Sequence, residues 1–181
     1  MAVIRSPLDF YGINYFAPQR IGASAEGDDL PFRLVPLVGY PATDTGWGVA
    51  PTALREWLII TRSRYRAAMP PIVLTGCGAA YEAPVENGMV DDQARIDYLE
   101  AHLEAVSAAI ERGVDVRGFY AYTLLDRDGW EAPFTGKDWE DGVGGKYGLV
   151  HVDDAGARTP KRSFGWYADL VAAHSEGAPT G

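Results

Sequence analysis

Residues 70–78 read Pro70-Pro71-Ile72-Val73-Leu74-Thr75-Gly76-Cys77-Gly78, an apolar run between two prolines and a glycine-rich turn. A short apolar run with such boundaries is typical of a buried β-strand, here residues 72–75. Residues 93–112 then carry apolar side chains at helical spacing, between Asp91-Asp92 and Gly113. This pattern predicts an amphipathic helix with an acidic N-cap and a glycine stop.

The same strand–helix order precedes this segment. The aromatic and apolar residues 8–16 predict a strand, and the Gly-, Pro- and Asp-rich residues 17–50 predict a long loop. Pro51 at the first helical position opens a predicted helix over residues 52–66.

The order also repeats downstream. Residues 116–125 predict a third strand, residues 126–145 a polar loop, residues 147–152 a short apolar segment, and residues 159–174 a final helix. Strands that alternate with helices of this length need crossover connections. The sequence therefore predicts an α/β fold with three parallel strands and three helices.

Composition limits the partners of the chain. Its 181 residues include 25 acidic and 16 basic side chains, a net charge of −9, without a basic run. This balance argues against a nucleic-acid partner, which needs clustered Lys and Arg. Five Trp, ten Tyr and six Phe provide the buried surface that a disordered chain lacks. We expect a single domain over residues 1–175 and a disordered tail at 176–181.

Cysteine and histidine usage points to a reducing compartment without a metal site. A lone Cys77 cannot form an internal disulfide, and three separated histidines do not suggest a metal cluster. No apolar stretch near the start resembles a secretory signal, and no run approaches eighteen apolar residues. The sequence thus predicts a cytoplasmic protein with no membrane contact, metal or cofactor.

Three parallel strands leave two unpaired edges and one uncovered sheet face, which we expect to be apolar. Such a surface favours a homo-oligomer or a complex with another barrel fragment. The alternative is a three-stranded open sandwich covered by the chain's own loops at 17–50 and 126–146.

Nine motifs, in order from about residue 7 to residue 172, resemble the carboxy-terminal part of the family 1 glycoside hydrolases, the β-glucosidase family. They are Asp9-Phe10-Tyr11-Gly12-Ile13-Asn14-Tyr15, Gly46-Trp47, Pro70-Pro71-Ile72, Gly78-Ala79-Ala80-Tyr81, Asp92 with Arg95 to Leu103, Asp115-Val116-Arg117-Gly118, Leu124-Leu125-Asp126, Tyr147-Gly148-Leu149-Val150 and Thr159-Pro160-Lys161. That family folds as a (β/α)₈ TIM barrel. The resemblance implies a partial TIM barrel made of the last three strand–helix units.

The resemblance also implies that both catalytic carboxylates are missing. The family's general acid lies in a Thr-x-Asn-Glu-Pro motif, and this chain has no Asn-Glu dipeptide. The family's nucleophile is the Glu of Thr-Glu-Asn-Gly, where this chain has Thr75-Gly76-Cys77-Gly78. Glu86-Asn87-Gly88 lies past the strand end and is a poor substitute. Phe16 replaces a tyrosine whose hydroxyl steadies that nucleophile, so normal glycosidase turnover is not expected.

The family's sugar-binding Glu-Trp pair can be placed on this chain in two ways. Counting forward from Asp126 gives Gly129-Trp130, whereas counting back from Tyr147 gives Asp138-Trp139 and an insertion before it. We favour the second placement. It keeps a shorter carboxylate, and Asp141-Gly142 then also falls on the family's Glu-Gly. Glu140 lies next to Trp139 in this placement.

Two classes of function follow. The chain is either an enzyme repurposed for elimination, cyclisation or hydration of a polar small molecule, or a non-catalytic sugar-binding fragment or one part of a split β-glycosidase. The catalytic candidates are Cys77, Tyr15, Tyr122 and Asp138, and the ligand-binding candidates are Asn14, Trp130, Trp139 and Glu140. Buried packing is the alternative role for Cys77 and the tyrosines. We expect His102 to pack in the core and Asp126 to hold a loop.

Overall fold

The computed structural model describes residues 6–25, 27, 30–126 and 146–175. Its helices are α1 (Pro51–Tyr65), α2 (Gln93–Glu111) and α3 (Arg162–Ser175). Its strands are β1 (Tyr11–Tyr15), β2 (Arg20–Ala23), β3 (Phe32–Val35), β4 (Ile72–Cys77), β5 (Val85–Glu86), β6 (Met89–Val90), β7 (Val116–Ala121), β8 (Val150–Val152) and β9 (Arg158–Pro160).

The main sheet is parallel and has the order β1-β4-β7, with β4 in the centre. Helix α1 connects β1 to β4, and α2 connects β4 to β7. Helix α2 packs against both α1 and α3, so it is the central helix of the layer. The predicted arrangement of three parallel strands and three helices is confirmed.

The core lies between the helices and one face of this sheet. Helix α1 contributes Leu54 and Leu58, which are fully buried, and β4 contributes Ile72 and Leu74. Each such side chain stabilises the fold by roughly 2 kcal/mol through removal of apolar surface from water. Helix α2 completes the cluster with Tyr98, Leu99, Val106 and Ala109.

Strand β4 contains one extra residue near its carboxyl end. Ile13 pairs with Leu74 and Asn14 pairs with Gly76, so Thr75 has no counterpart on β1. An extra residue reverses the alternation of side chains beyond it. Cys77 consequently packs in the same core cluster as Leu74.

The uncovered face of the sheet carries both polar and apolar side chains. Ile13 and Tyr15 pack against the core, which leaves Gly12 and the exposed Asn14 on the opposite face. A side chain at Gly12 would contact Thr75. A Cβ atom at Gly118 would lie 3.1 Å from Val73 and 3.5 Å from Tyr120, so Val73 and the exposed Tyr120 share this face with Asn14 and Thr75.

Two segments differ from the sequence expectation. Residues 17–50, predicted as loop, contain the antiparallel hairpin β2–β3. Strand β9 (Arg158–Pro160), which pairs with β8, includes Thr159 and Pro160, predicted as the start of the last helix. Helix α3 begins later because the Asp92 carboxylate accepts hydrogen bonds from the backbone N–H and hydroxyl of Ser163, at 2.9 and 2.6 Å.

Asp92 occupies the N-cap position of α2, as predicted, but its side chain does not cap that helix. The carboxylate is directed at Arg95 and Ser163 instead. Gly113 ends α2 with a φ of 85°, a conformation that favours glycine.

Candidate functional site at the strand ends

Asn14 and Thr75 meet at the carboxyl ends of β1 and β4. The Thr75 hydroxyl donates toward Asn14 Oδ1 at 2.8 Å and lies 3.0 Å from the Ile13 carbonyl oxygen. Both side chains are exposed. Because Asn14 uses its oxygen as an acceptor here, its Nδ2 amide is the group that can donate to a bound molecule.

Gly76 packs closely beside this pair. A Cβ atom at Gly76 would lie 3.0 Å from Asn14 Oδ1 and 3.7 Å from Tyr122 Cδ2. A side chain at position 76 would therefore extend toward Asn14 and Tyr122, both of which were predicted as site residues. The strand ends bring these two residues together around a position that carries no side chain.

An aromatic cluster borders the site. The Tyr122 ring lies 5.3 Å from Phe16 and 5.9 Å from Tyr147, both edge-on, and Phe16 lies 5.7 Å from Trp47. Edge-to-face contacts at these distances fix the rings relative to one another. We call Phe16, Trp47, Tyr122 and Tyr147 the aromatic wall.

Gly78 allows β4 to approach the backbone of Tyr122 closely. A Cβ atom at Gly78 would lie 2.0 Å from the Tyr122 carbonyl oxygen, which is closer than any contact permits. The Tyr122 N–H donates to the Cys77 carbonyl at 2.9 Å. The position of the Tyr122 ring therefore depends on a glycine at residue 78.

Cys77 and Tyr15, two of the predicted catalytic residues, lie on the core side of the sheet. The Cys77 thiol is fully buried, and burial raises its pKa to about 12. The Tyr15 hydroxyl donates to the Ala50 carbonyl at 2.7 Å, and burial also raises its pKa. Neither group lies on the sheet face that carries Asn14 and Thr75.

His102 packs in the core, as its sequence position suggested. Its ring stacks on Tyr98 at 4.0 Å, and its Nδ1–H donates to the Tyr98 carbonyl at 2.7 Å. Nε2 is buried without a hydrogen-bond partner among the described residues. Burial lowers the pKa of His102 to about 4, so the ring is neutral at pH 7.

The remaining predicted residues, Trp130, Asp138, Trp139 and Glu140, lie outside the described part of the chain. So does the predicted tail at 176–181. The residues that flank 127–145 in sequence, Asp126 and Lys146, are described.

Arg95 holds the loops at the strand ends. Its buried guanidinium pairs with Asp92 at 2.8 Å and donates to the carbonyl oxygens of residues 79, 81, 146 and 147. Residues 79 and 81 follow β4, whereas residues 146 and 147 precede β8. A single planar, five-donor group therefore joins two loops that border the candidate site.

Asp126 anchors the chain just beyond β7, as predicted for a structural carboxylate. Its Oδ1 accepts from the Gly148 N–H and from Lys161 Nζ, each at 2.8 Å, and its Oδ2 lies 3.3 Å from His151 Nδ1. Both side chains of the Asp126–Lys161 pair are almost fully buried. Desolvation lowers the pKa of Lys161, while the Asp126 carboxylate opposes that shift.

The sequence motifs included Arg95, Lys161 and Trp47 but did not give them a role. An arginine on the apolar face of an amphipathic helix is the signal that could have identified Arg95, because charged residues are almost never fully buried unless they are paired. The aromatic wall joins residues from four separate segments, and no local pattern predicts it.

Among the described residues, no group of three or more His, Cys, Asp or Glu side chains is placed to hold a metal ion. No helix within those ranges has the length and apolar character needed to cross a bilayer.

Comparison with known proteins agrees with the motifs. The model of glycosyl hydrolase family 1 matches residues 1–176. A β-glucosidase from Agrobacterium sp. is 35% identical over 180 residues, covering 98% of this chain and 37% of the relative. A bifunctional β-D-glucosidase/β-D-fucosidase from Bifidobacterium breve is 36% identical, covering 96% of this chain and 39% of the relative. The chain thus spans well under half the length of these relatives.

The backbone of the chain also resembles that of a solved β-glucosidase structure. The crystal structure of a β-glucosidase from Exiguobacterium antarcticum superposes with a TM-score of 0.80 at 31% sequence identity. The superposition covers 98% of this chain and 37% of that structure.

Proposed function

Because the chain belongs to glycosyl hydrolase family 1, we propose that it binds a polar, sugar-like small molecule at its strand ends and does not hydrolyse glycosides. The binding groups are the Asn14 amide, the Thr75 hydroxyl and the aromatic wall. Polar donors and acceptors beside aromatic rings suit a sugar, whose hydroxyl groups and apolar C–H faces need both.

Gly76 is the observation that carries this proposal. Retaining glycosidases need two carboxyl groups about 5 Å apart, one of them a nucleophile. The motif alignment puts the nucleophile at position 76, where a side chain would extend between Asn14 and Tyr122. With glycine at position 76, the strand ends keep groups that can bind a sugar but lack a nucleophile.

An enzymatic activity other than glycoside hydrolysis is the second candidate function. Elimination, cyclisation or hydration would need a proton donor or acceptor at the strand ends, for which Tyr122 and Asp138 are our candidates. The contact of the Tyr122 ring with position 76 favours this residue. Cys77 is not used in this proposal, because its thiol is buried in the core and protonated at pH 7.

A split β-glycosidase is the third candidate and the weakest. A partner chain could supply the missing general acid. It could not supply the nucleophile at its usual place, because the strand that carries that position, β4, lies within this chain. We therefore infer that association with a partner completes a binding pocket and does not restore hydrolysis.

Calorimetric titration with methyl β-D-glucoside tests the binding proposal. We expect saturable binding by the wild-type chain and roughly tenfold weaker binding by Asn14→Ala, the effect of one lost hydrogen bond to a ligand. Gln93→Ala is the matched control, since it removes an exposed amide at the start of α2.

Parallel assays with an aryl β-D-glucoside measure hydrolysis. Absence of saturable binding, or equal affinity of the wild type and Asn14→Ala, would refute the binding site. Rapid glucoside release by the wild type would refute the non-hydrolytic proposal.

A further inference from the structure

Asn87 and Gly88 form the two-residue turn of the hairpin β5–β6. Glu86 pairs with Met89 beside this turn. The φ angles of Asn87 and Gly88 are 52° and 75°, both in the left-handed region that a type I′ turn requires. The Glu86-Asn87-Gly88 motif has no role in the proposed sugar site.

Both turn residues are exposed to solvent. A Cβ atom built on Gly88 would have no described atom within 4 Å outside the two adjacent residues. The amide carbon of Asn87, Cγ, is an electrophile, and the peptide nitrogen of Gly88 follows it without a side chain to shield it. These are the two groups that react when an asparagine loses its amide spontaneously.

We propose that Asn87 is a site of spontaneous deamidation. The Gly88 peptide nitrogen loses its proton and attacks Asn87 Cγ. A bond forms between Cγ and that nitrogen, the bond from Cγ to Nδ2 breaks, and Nδ2 takes up the proton and leaves as ammonia. Water then opens the cyclic imide at either of its carbonyl carbons, which gives aspartate or isoaspartate. This inference does not depend on sugar binding.

The hairpin controls the reaction, because the closed turn does not permit the attack. In the left-handed conformation, the side chain of a residue and the next peptide nitrogen lie on nearly opposite sides of the Cα–C bond. Asn87 must therefore leave this conformation before its Cγ meets the Gly88 nitrogen. Strands β5 and β6 have two residues each, and a two-stranded ribbon this short is marginally stable. Local opening of such a segment costs little free energy.

Asn14, the second asparagine of the sequence, provides an internal comparison. It lies in β1, which pairs with β4 in the main sheet. Its Oδ1 accepts a hydrogen bond from the Thr75 hydroxyl at 2.8 Å, and the residue that follows it is Tyr15. Both the paired strand and the bulky following residue hinder attack on the Asn14 amide.

The two products differ in their effect on the hairpin. Aspartate keeps the backbone unchanged and tolerates the left-handed region. In isoaspartate the main chain runs through Cβ, so the turn gains a backbone atom and no longer fits the register of β5 and β6. Just beyond the turn, Val90 is buried and forms a bridge with Lys161, which binds Asp126. Isoaspartate therefore strains the contact between this hairpin and the Asp126 anchor.

Incubation of the purified chain in mildly alkaline buffer, followed by peptide mapping with mass spectrometry, tests the proposal. We expect amide loss at Asn87 to be at least roughly tenfold faster than at Asn14, because the short hairpin opens far more readily than the main sheet. An isoaspartyl methyltransferase with a labelled methyl donor should modify the peptide that contains residue 87. Asn87→Gln, whose longer side chain cyclises slowly, should lack both signals.

Val85→Gly and Val38→Gly form a matched pair that tests control by the hairpin. Both remove an exposed valine side chain, but Val85 pairs with Val90 in the hairpin, whereas Val38 lies outside the strands. We expect Val85→Gly to speed amide loss at Asn87 about threefold by favouring the open turn. Val38→Gly should leave the rate unchanged.

Retention of the Asn87 amide through the incubation, or loss at the same rate as at Asn14, would overturn the proposed site. Equal rates in the wild type, Val85→Gly and Val38→Gly would overturn control by the hairpin. Isoaspartate from the Asp-Gly pairs at 128–129 and 141–142 does not interfere, because it forms without release of ammonia and lies in other peptides.

Discussion

Gly76 lies one residue before the end of β4. It has no side chain at a position where one would contact Asn14 Oδ1 and the Tyr122 ring. The resemblance places the nucleophile of the family at this position, so the missing side chain is the one on which hydrolysis would depend. Phe16, which replaces a family tyrosine, packs its ring into the aromatic wall and supplies no hydroxyl. At this scale, the proposed absence of hydrolysis rests on these two positions.

Restoring a carboxylate alone should not restore hydrolysis. We expect Gly76→Glu to show no more turnover of an activated aryl β-glucoside than Gly76→Gln. The Cβ atom of the new side chain would already lie 3.0 Å from Asn14 Oδ1, so a glutamate would have to displace Asn14 from its hydrogen bond with the Thr75 hydroxyl. Phe16 offers no hydrogen bond to orient it.

Initial-rate measurements on the two variants, with matched protein concentrations, test this expectation. Turnover by Gly76→Glu well above Gly76→Gln would mean that the sugar site is intact and needs only its nucleophile.

The helices are joined by buried ionic contacts as well as by apolar packing. Asp92 at the start of α2 binds Arg95 in the same helix and Ser163 in α3. Arg95 in turn holds the loops after β4 and before β8. These elements therefore depend on one network for their relative positions.

Arg95→Met should destabilise the chain strongly. Removing one partner of a buried pair leaves an unpaired charge, here on Asp92, at a cost of roughly 3–5 kcal/mol. Urea unfolding monitored by tryptophan fluorescence measures the change. Arg117→Met is the control, because the Arg117–Asp115 pair is exposed and should contribute little. Equal effects of the two variants would show that the Arg95 network is not important for stability.

The periodic elements were predictable from sequence, whereas the contacts between them were not. Apolar spacing located α2 and β4 within a few residues because both are buried on one side. The hairpin β2–β3 was missed since its strands are short and its surroundings rich in Gly, Pro and Asp, which favour loops. At the site, Asn14 and Tyr122 were predicted as site residues, but their proximity to position 76 was not, and the orientation of Cys77 depends on the extra residue in β4.

For the whole molecule, burial of a neutral histidine couples stability to pH. His102 titrates near pH 4 in the folded chain and near 6.5 when unfolded. Above pH 6.5 the ring is neutral in both states. As the pH falls from 6.5 toward 4, only the unfolded chain takes up the proton, so the folded state loses stability.

We expect the wild type to lose about 2 kcal/mol of unfolding free energy between pH 7 and pH 5 through this group. His102→Gln, which cannot be protonated, should lack that component. Denaturant unfolding of both proteins at the two pH values measures the difference. An identical pH dependence in wild type and variant would show that His102 is not the titrating group.

Because residues 127–145 are preceded and followed in sequence by anchored residues, the length of that segment should have little effect on the stability of the described sheet and helices. Asp126 is fixed to Lys161, just before α3, and to Gly148, while residues 146 and 147 are fixed to Arg95 of α2. Each doubling of a loop's length adds only about 0.6 kcal/mol of closure free energy. A longer or shorter segment between the two anchors should therefore change the free energy of unfolding of the described sheet and helices only slightly.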